Sequence, residues 1–235
     1  MTYGDTDSIF ITLEEKTKED ALKFVKTINK ELPGIMELEF EGFYPSGIFV
    51  SAKMGAFGAK KRYALLSEDN TLKIKGFESV RRNTSMIAKE VQEKVLDIIL
   101  REHDNEKAMH YVKEIIDELR NKKIPLDKVI INTQLQKELS DYDARGPHVA
   151  VAQKLKNMGI NVGPGSAISF IVTQGSDIIR NRAKLPEEVT EKDYDPDYYI
   201  HHQVVPAVER IFNVLGYTKE DLTESKDQTK LGGFY

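Results

Sequence analysis

The sequence predicts an α+β protein in which a small antiparallel sheet with one helix is followed by a mainly helical region. Alternating apolar patterns and a hairpin signal fill residues 1–82, and apolar residues at helical spacing dominate residues 83–222. Residues 223–235 are mostly polar and predict a flexible tail. With 235 residues, 40% hydrophobic and 31% charged, the chain can form one large or two small cores.

Four patterns predict the elements of the first region. Residues 17–20 resemble a capping box, and the helix that they begin stops at the proline and glycine of 33–34. Strict alternation over 36–41 predicts a strand with three apolar residues on one face and three glutamates on the other. Residues 43–50 predict a second strand, and residues 61–74 predict a hairpin.

Helix and strand patterns alternate in the second region. Apolar residues behind a Thr84 or Ser85 cap, and again behind Asp104, predict two helices that pack as a hairpin. The later elements are predicted in the order strand, helix, strand, acidic loop and helix, over residues 125–133, 148–155, 167–172, 187–197 and 204–215.

The composition excludes several classes of protein. The absence of cysteine rules out disulfides, thiolate zinc sites and cysteine nucleophiles, and it fits either a reducing compartment or a hot one. The five histidines do not cluster, and His201 and His202 point apart on a helix, which disfavours a histidine metal site. No apolar run is long enough to cross a bilayer and no secretory leader is visible near Met1, so we expect a cytoplasmic protein without a membrane partner.

Charge is unevenly distributed around a net value of −4. Residues 1–50 carry five lysines against ten acidic residues, whereas residues 51–89 carry nine lysines and arginines against three acidic residues. An acidic site beside a basic track suits metal-assisted chemistry on a polyanion, because carboxylates hold the metal while cations hold the phosphates. A solvated charged surface is the alternative explanation.

The most informative stretch is residues 3–8, Tyr-Gly-Asp-Thr-Asp-Ser, which an apolar run follows at once. Asp5 and Asp7 point the same way at a strand end, because side chains two residues apart share a face. Two crowded carboxylates repel one another, so a divalent cation between them, Mg²⁺ being the natural candidate, would offset the repulsion. An Asp-rich turn is the alternative, since this sequence is also ordinary turn chemistry.

Two further charged groups fit such a site. The glutamate face of the strand predicted at 36–41 includes Glu39 and Glu41. This face is either exposed to solvent or directed toward a metal or a cluster of cations. Residues 60–63, Lys-Lys-Arg-Tyr, would place donors on both faces of a strand, and lysines in a minor groove can test duplex geometry without reading sequence. A solvated strand or a nonspecific polyanion patch is the alternative for this basic cluster.

In order and spacing, these motifs resemble those of family B DNA polymerases. Residues 3–8 are similar to motif C of that family, and residues 60–63 are similar to its Lys-Lys-X-Tyr motif. Residues 39–44, 76–82 and 146–152 resemble archaeal members, so the resemblance extends over nearly the whole chain.

The resemblance implies a DNA-dependent DNA polymerase that uses a two-metal mechanism, with residues 1–82 as the C-terminal part of a palm domain and residues 83–222 as a thumb. The implied metal ligands are Asp7 and Asp5, the catalytic pair, with Glu39 or Glu41 as outer carboxylates around Mg²⁺. The implied contacts to primer–template DNA are Lys60, Lys61, Arg62, Tyr63, Arg81, Arg82, Tyr142, Arg145 and Lys154.

Several parts that the family needs are not found in the sequence. They are the second aspartate of motif A, the fingers with their nucleotide-binding lysine, the proofreading exonuclease and the strand that enters motif C. Some archaea carry this family as two polypeptides, and the sequence resembles the smaller one. We therefore expect a large subunit to supply the missing parts, and we expect the chain to use primer–template DNA and dNTP only in that complex. An expression fragment of an intact polymerase is the alternative origin.

The last eight residues suggest a further partner. Gln228, Leu231, Phe234 and Tyr235 fit a pattern that resembles the peptide by which proteins dock on a sliding clamp. One helical turn would place the three hydrophobic residues on one side as a plug, whereas a frayed terminus is the alternative. The rival function for the whole chain is a noncatalytic DNA-binding and clamp-tethering module derived from a polymerase, in which the aspartates would be vestigial.

Overall fold

The structure, a computed structural model, describes residues 3–5, 7–51, 58–81 and 83–223. The chain divides into two compact units, one up to Gly76 and one from Phe77 onward. The assignment of residues 1–82 and 83–222 as palm and thumb stays a prediction. No helix of the described residues is long and apolar enough to span a membrane.

The first unit contains one helix and two small antiparallel sheets within its described residues. Its elements are β1 (Tyr3–Asp5), β2 (Ser8–Phe10), α1 (Lys18–Asn29), β3 (Ser46–Ser51), β4 (Gly58–Leu66) and β5 (Leu72–Lys75). Strands β1 and β2 form a hairpin in which Gly4 lies opposite Ile9. The second sheet has the order β3-β4-β5, so β4 is its central strand.

Helix α1 begins at the predicted capping box. The Thr17 hydroxyl accepts a hydrogen bond from the Asp20 amide, and the Asp20 carboxylate accepts one from the Thr17 amide at 3.0 Å. The box satisfies two backbone donors that the first turn cannot pair internally. Ala21 is the one buried residue of this helix, so packing encloses little of its surface.

The strand predicted for residues 36–41 is wrong, because this segment forms no strand in the structure. Instead, the Asn29 side chain donates to the Leu38 carbonyl at 2.9 Å and accepts from the Leu38 amide at 2.8 Å. An alternating pattern predicts which residues share a face, but a strand also needs a partner for its backbone groups. The alternation itself persists in part, since Leu38 and Phe40 are half-buried while Glu39 is exposed.

The hairpin predicted at 61–74 is confirmed by β4 and β5, which pair from Leu66 opposite Leu72. The Ser67 hydroxyl closes the turn by donating to the Thr71 carbonyl at 2.8 Å. Asn70 adopts the left-handed conformation with φ 67°, which asparagine tolerates better than most residues. The strand predicted from residue 43 begins only with β3.

The second unit is mainly helical within its described residues. Its helices are α2 (Met86–Asp97), α3 (Asn105–Arg120), α4 (Leu126–Val129), α5 (Pro147–Asn157), α6 (Ile179–Arg182), α7 (Pro196–Tyr199), α8 (Val205–Val214) and α9 (Lys219–Thr223). Its strands are β6 (Ile131–Gln134), β7 (Ala167–Val172) and β8 (Ala183–Lys184), which form an antiparallel sheet in the order β6-β7-β8. Turns of π-helix at Ile98–Glu102 and Ile200–Val204 follow α2 and precede α8.

The predicted hairpin of two helices is confirmed by α2 and α3. The connection passes through His103, which adopts the left-handed conformation with φ 56°. Asp104 then caps α3 by accepting a hydrogen bond from the Lys107 amide at 2.8 Å. Val95 of α2 and Val112 of α3 are fully buried, as the apolar spacing predicts.

The prediction of a strand over residues 125–133 is wrong for the first half of this segment. There α4 forms one helical turn directly after Pro125, and β6 forms only the second half. Proline fixes φ at a value that suits the start of a helix and has no amide to leave unpaired. The other strand and helix that flank the Gly-Pro turns are confirmed by β7 and α5.

Two buried polar side chains tie the helices of the second unit to neighbouring backbone. Gln92 is fully buried, accepts a hydrogen bond from the Ser79 amide at 2.7 Å and donates one to the Ala207 carbonyl. The Tyr199 hydroxyl accepts from the Val172 amide at 3.2 Å, and burial raises the pKa of Tyr199 far above its ordinary value. Leaving one such buried group unpaired would cost about 1–3 kcal/mol.

Candidate functional site

The two aspartates of the candidate site belong to the β1–β2 hairpin. Asp5 ends β1 and lies opposite Ser8, and Asp7 lies in the turn with its side chain exposed. The expectation that no strand enters this motif is wrong, because β1 supplies a short one. The side chain of Asp5 lies outside the described part of the structure.

An aromatic cluster of four rings supports this hairpin. Tyr3 and Phe10 lie opposite each other on the hairpin and pack against Phe49 of β3 and Tyr63 of β4. The ring centroids are 4.9 Å apart for Tyr3 and Phe49 and 5.3 Å apart for Phe10 and Tyr63. Aromatic pairs of this kind contribute about 0.5–1.5 kcal/mol each beyond their buried area. The cluster therefore fixes the hairpin, with Asp7 at its turn, on the second sheet.

A groove of about 1100 Å³ opens beside Asp7. The groove is lined by residues 7–14 and 37–45, by Ala21, Phe24 and Val25 of α1, and by Gly47, Phe49 and Leu65. Glu39 and Glu41 line this groove together with Asp7. The structure thus brings both predicted outer carboxylates to the same groove as the turn of the hairpin.

The two glutamates differ in their surroundings. Glu39 is exposed to solvent, whereas Glu41 forms an ion pair with Lys73 of β5. The Glu41 carboxylate, and after it the Tyr44 hydroxyl at 3.4 Å, raise the pKa of Lys73. Over the described part of the chain, no three histidine, aspartate or glutamate side chains lie close enough together to hold a metal ion. Among the described side chains, Lys73 lies against the Glu41 carboxylate and no lysine lies against that of Glu39.

The basic cluster lies on β4, the central strand of its sheet. The backbone of Lys60 and Lys61 belongs to this strand, but their side chains lie outside what the structure describes. Arg62 exposes 8% of its surface, and Tyr63, within the aromatic cluster, exposes 7%. Both faces of β4 are therefore covered at these two residues. Contacts of the four residues with DNA stay a prediction.

Two of the predicted DNA contacts of the second unit are exposed arginines. The Arg81 guanidinium lies 3.9 Å from the Glu78 carboxylate, and the Arg81 side chain is exposed to solvent. Arg145 is exposed in the segment that leads into α5. Arg82 lies outside the described residues. Within the described part of the chain, Arg81 has this one weak ion pair and Arg145 has none, so both guanidinium groups are available to a phosphate.

The other two predicted contacts already have protein partners. The Tyr142 hydroxyl accepts a hydrogen bond from the Gln136 amide at 2.9 Å, and Lys154 forms an ion pair with Glu188 that lowers the pKa of this glutamate. The ring of His148 packs edge-on against Tyr142, with the ring centroids 5.8 Å apart, and burial lowers the pKa of His148.

The predicted clamp peptide contributes no observation to the site. Its residues Gln228, Leu231, Phe234 and Tyr235 all lie outside the described part of the chain.

Comparisons with known proteins agree with the motifs. The profile of DNA polymerase family B matches residues 1–215. The DNA polymerase of Thermococcus aggregans is 47% identical over 224 residues, which are 93% of this chain and 12% of that protein. The DNA polymerase of Thermococcus sp. strain 9oN-7 is 44% identical over 241 residues, which cover 100% of this chain and 30% of that protein.

A solved structure agrees as well. The family B DNA polymerase of the hyperthermophilic archaeon Pyrobaculum calidifontis matches with a TM-score of 0.67 and 33% identity, over 86% of this chain and 26% of that one. The chain thus spans less than a third of each of these three relatives. Because the family profile covers most of the sequence, and its relatives align along nearly the whole of it, the chain belongs to DNA polymerase family B.

Proposed function

We propose that the chain is a subunit of a DNA-dependent DNA polymerase and supplies the motif C carboxylates and a thumb that grips duplex DNA. The observation that supports this most directly is the position of Asp7, which lies at the turn of a packed hairpin and lines a groove together with Glu39 and Glu41. Residues 1–82 would act as part of the palm and residues 83–222 as the thumb. A large subunit with motif A, the fingers and the exonuclease would complete the enzyme.

The residues that would hold Mg²⁺ are Asp7 and Asp5, with Glu39 as an outer carboxylate. An exposed carboxylate at a turn is the type of oxygen ligand that this ion prefers. Glu41 suits the role less well, because Lys73 already neutralises it. The chemistry that a pair of bound Mg²⁺ ions supplies is a lowered pKa of the primer 3′-hydroxyl and a stabilised pyrophosphate leaving group. The role of this chain would be to position these carboxylates, because the aromatic cluster fixes the turn that carries Asp7.

The primer–template duplex and the incoming dNTP are the proposed substrates. Lys60 and Lys61 would contact the minor groove, while the buried Arg62 and Tyr63 would hold β4 in place for them. Phosphate contacts in and near the thumb would come from Arg81, Arg82, Tyr142, Arg145 and Lys154, of which Lys154 must exchange Glu188 for the phosphate.

The tail would supply a second kind of contact. Gln228, Leu231, Phe234 and Tyr235 would dock on a sliding clamp, and this tether would raise the effective concentration of the enzyme at the primer end. The DNA of an archaeal cell lies in the cytoplasm, which is where such an enzyme would work.

Primer extension with Mg²⁺ and all four dNTPs tests the proposal. The assay compares this chain alone, the large subunit alone and the mixture, and we expect synthesis only in the mixture. Asp7→Ala should lower the rate of the mixture by at least about a hundredfold, because metal-assisted charge stabilisation is worth several kcal/mol. The matched control is Asp117→Ala, which removes an exposed carboxylate of α3 and should change the rate by less than about twofold.

Two results would contradict a catalytic role. They are full activity of the large subunit alone and unchanged synthesis by the Asp7→Ala mixture. Either result would reduce the chain to a noncatalytic DNA-binding and clamp-tethering accessory.

A further inference from the structure

Residues 37–44 lie between α1 and β3 and include Glu39, the outer carboxylate of the proposed metal site. Within the described residues, this segment forms no helix or strand, and no backbone hydrogen bond joins it to another backbone group. Backbone outside regular structure depends on side chains or water for its hydrogen bonds. The position of Glu39 therefore depends on the side-chain contacts of this segment rather than on a helix or a sheet.

Two side chains from neighbouring elements anchor the segment. Asn29 of α1 donates to the Leu38 carbonyl at 2.9 Å and accepts from the Leu38 amide at 2.8 Å. Lys73 of β5 forms an ion pair with Glu41. Glu39 lies between these two anchors, so both of them restrict where its carboxylate can lie.

Lys73 also contacts the end of the segment. Its ammonium donates to the Tyr44 hydroxyl at 3.4 Å and lies 5.7 Å from the centroid of the Tyr44 ring. The Tyr44 side chain lies close to the backbone of Gly42, since a Cβ added at Gly42 would be 3.3 Å from the Tyr44 hydroxyl. One ammonium thus holds Glu41 and Tyr44 together and closes the short loop between them.

The sheet determines the position of Lys73. Lys73 lies opposite Leu65 of the central strand β4, and Leu65 is buried and lines the groove. Residues directly opposite each other in an antiparallel pair share one face of the sheet. The side chain of Lys73 is 32% exposed, so its stem is packed while its charge reaches the segment.

We propose that Lys73 is a positioning residue, whose ammonium anchors Glu41 and Tyr44 to β5 and thereby holds Glu39 in the groove that it shares with Asp7. Glu41 is then an anchor of the segment and not a metal ligand. The inference rests on the proposed function, in which Glu39 is the outer carboxylate. It goes beyond that function in assigning a role to Lys73, which no sequence motif identified.

Hydrogen–deuterium exchange of the full chain, without any partner, tests the anchor. Lys73→Met keeps most of the apolar stem and removes the charge, and it should accelerate exchange over residues 39–44 by about two- to fivefold, as expected for a partly exposed ion pair. Lys73→Arg should preserve the original rates. The matched control is Lys75→Met, which removes an exposed lysine of the same strand and should leave them unchanged. Unchanged exchange in Lys73→Met would overturn the proposal.

Primer extension by the mixture with the large subunit tests whether Lys73 acts through Glu39. At saturating DNA and dNTP, Lys73→Met should lower the rate by about threefold, and Lys73→Arg should restore it. In a Glu39→Gln background the same change should lower the rate by less than about 1.5-fold, because the carboxylate that Lys73 positions is already absent. An equal fall in both backgrounds, or no fall in either, would overturn the proposal.

Exchanging the two charges tests the role of Glu41. Lys73→Glu places two carboxylates together and should lower the rate by about fivefold or more, whereas Lys73→Glu combined with Glu41→Lys should return both the rate and the exchange to within about twofold of the original values. Recovery of the exchange without recovery of the rate would show that Glu41 acts as a metal ligand, and it would overturn the proposal.

These readouts separate the inference from the proposed function. Unchanged synthesis by the Asp7→Ala mixture would refute the catalytic role, while the exchange of the isolated chain would still report on the anchor. Synthesis that depends on Asp7 but responds to Lys73→Met equally with and without Glu39 would refute the positioning role alone.

Discussion

Helices α1 and α2 each have twelve residues, yet they bury very different parts of their surfaces. In α1 the buried residue is Ala21. In α2 the buried residues are Ile87, Ala88, Val91, Gln92, Val95 and Leu96. Both sequences carry an apolar face at helical spacing, so the difference arises from what packs against each helix.

The comparison shows which unit has a closed core. Helix α2 is enclosed by other elements of its own unit, among them α3 and α8. Helix α1 instead contributes Phe24 and Val25 to an open groove. An apolar face that the described residues leave open is available for contact with a partner.

The largest effect that would sharpen this contrast is expected from Leu96→Ala in α2. Leu96 is fully buried, and removing a buried leucine side chain costs about 2–5 kcal/mol through lost transfer energy and the cavity that remains. The matched variant Leu22→Ala in α1 changes a 38% exposed side chain and should cost less than about 0.5 kcal/mol. Urea unfolding followed by circular dichroism measures both. Similar losses for the two leucines would break the comparison.

A smaller effect is expected from Asn29→Ala, which removes both hydrogen bonds to Leu38. Each bond contributes about 0.5–1.5 kcal/mol net, and the exchange of amides over residues 36–41 should accelerate accordingly. Asn29→Asp keeps the hydrogen-bond acceptor but loses the donor, so its exchange rates should lie between those of the original protein and those of Asn29→Ala.

The control for this change is Asn157→Ala, which alters an exposed asparagine at the end of α5. It should leave the exchange over residues 36–41 as it was. Unchanged exchange in Asn29→Ala would mean that residues 36–41 are held in place by contacts other than those of the Asn29 side chain.

Local signals predicted the elements that depend on local chemistry. The capping box at Thr17 and Asp20, the hairpin around Asn70 and the cap at Asp104 involve residues within a few positions of one another. Such contacts are visible in the sequence because the interacting groups lie at fixed spacing. The turn that carries Asp7 belongs to the same class.

Contacts between distant residues explain what the sequence could not predict. Residues 36–41 alternate like a strand, but whether they form one depends on a neighbour that the pattern does not encode. The ion pair between Glu41 and Lys73 joins residues 32 positions apart, so the competition for this carboxylate was not visible. Burial of Arg62 and Tyr63 likewise follows from the tertiary environment of β4 rather than from its basic sequence.

The smallest expected effect concerns the caps of the two helices. The Thr17 amide, and after it the Thr17 hydroxyl, hold the pKa of the exposed Asp20 carboxyl below its ordinary value. Because the folded pKa is the lower one, the stabilisation is complete above the unfolded pKa of about 3.9 and is lost as the pH falls through the folded value. Titration of Asp20 by NMR measures this shift, and Thr17→Ala should reverse it only in part, since the amide remains.

The contrasting variant is Ser85→Ala at the start of α2, where the serine side chain makes no capping hydrogen bond. It should change neither the pKa of Asp20 nor the pH dependence of unfolding, because packing rather than a cap holds this helix. An Asp20 pKa that did not respond to Thr17→Ala would show that α1 is not held by its capping box. The helix would then need stabilisation from elsewhere in the first unit, and the contrast between a helix held by its cap and a helix held by its core would fail.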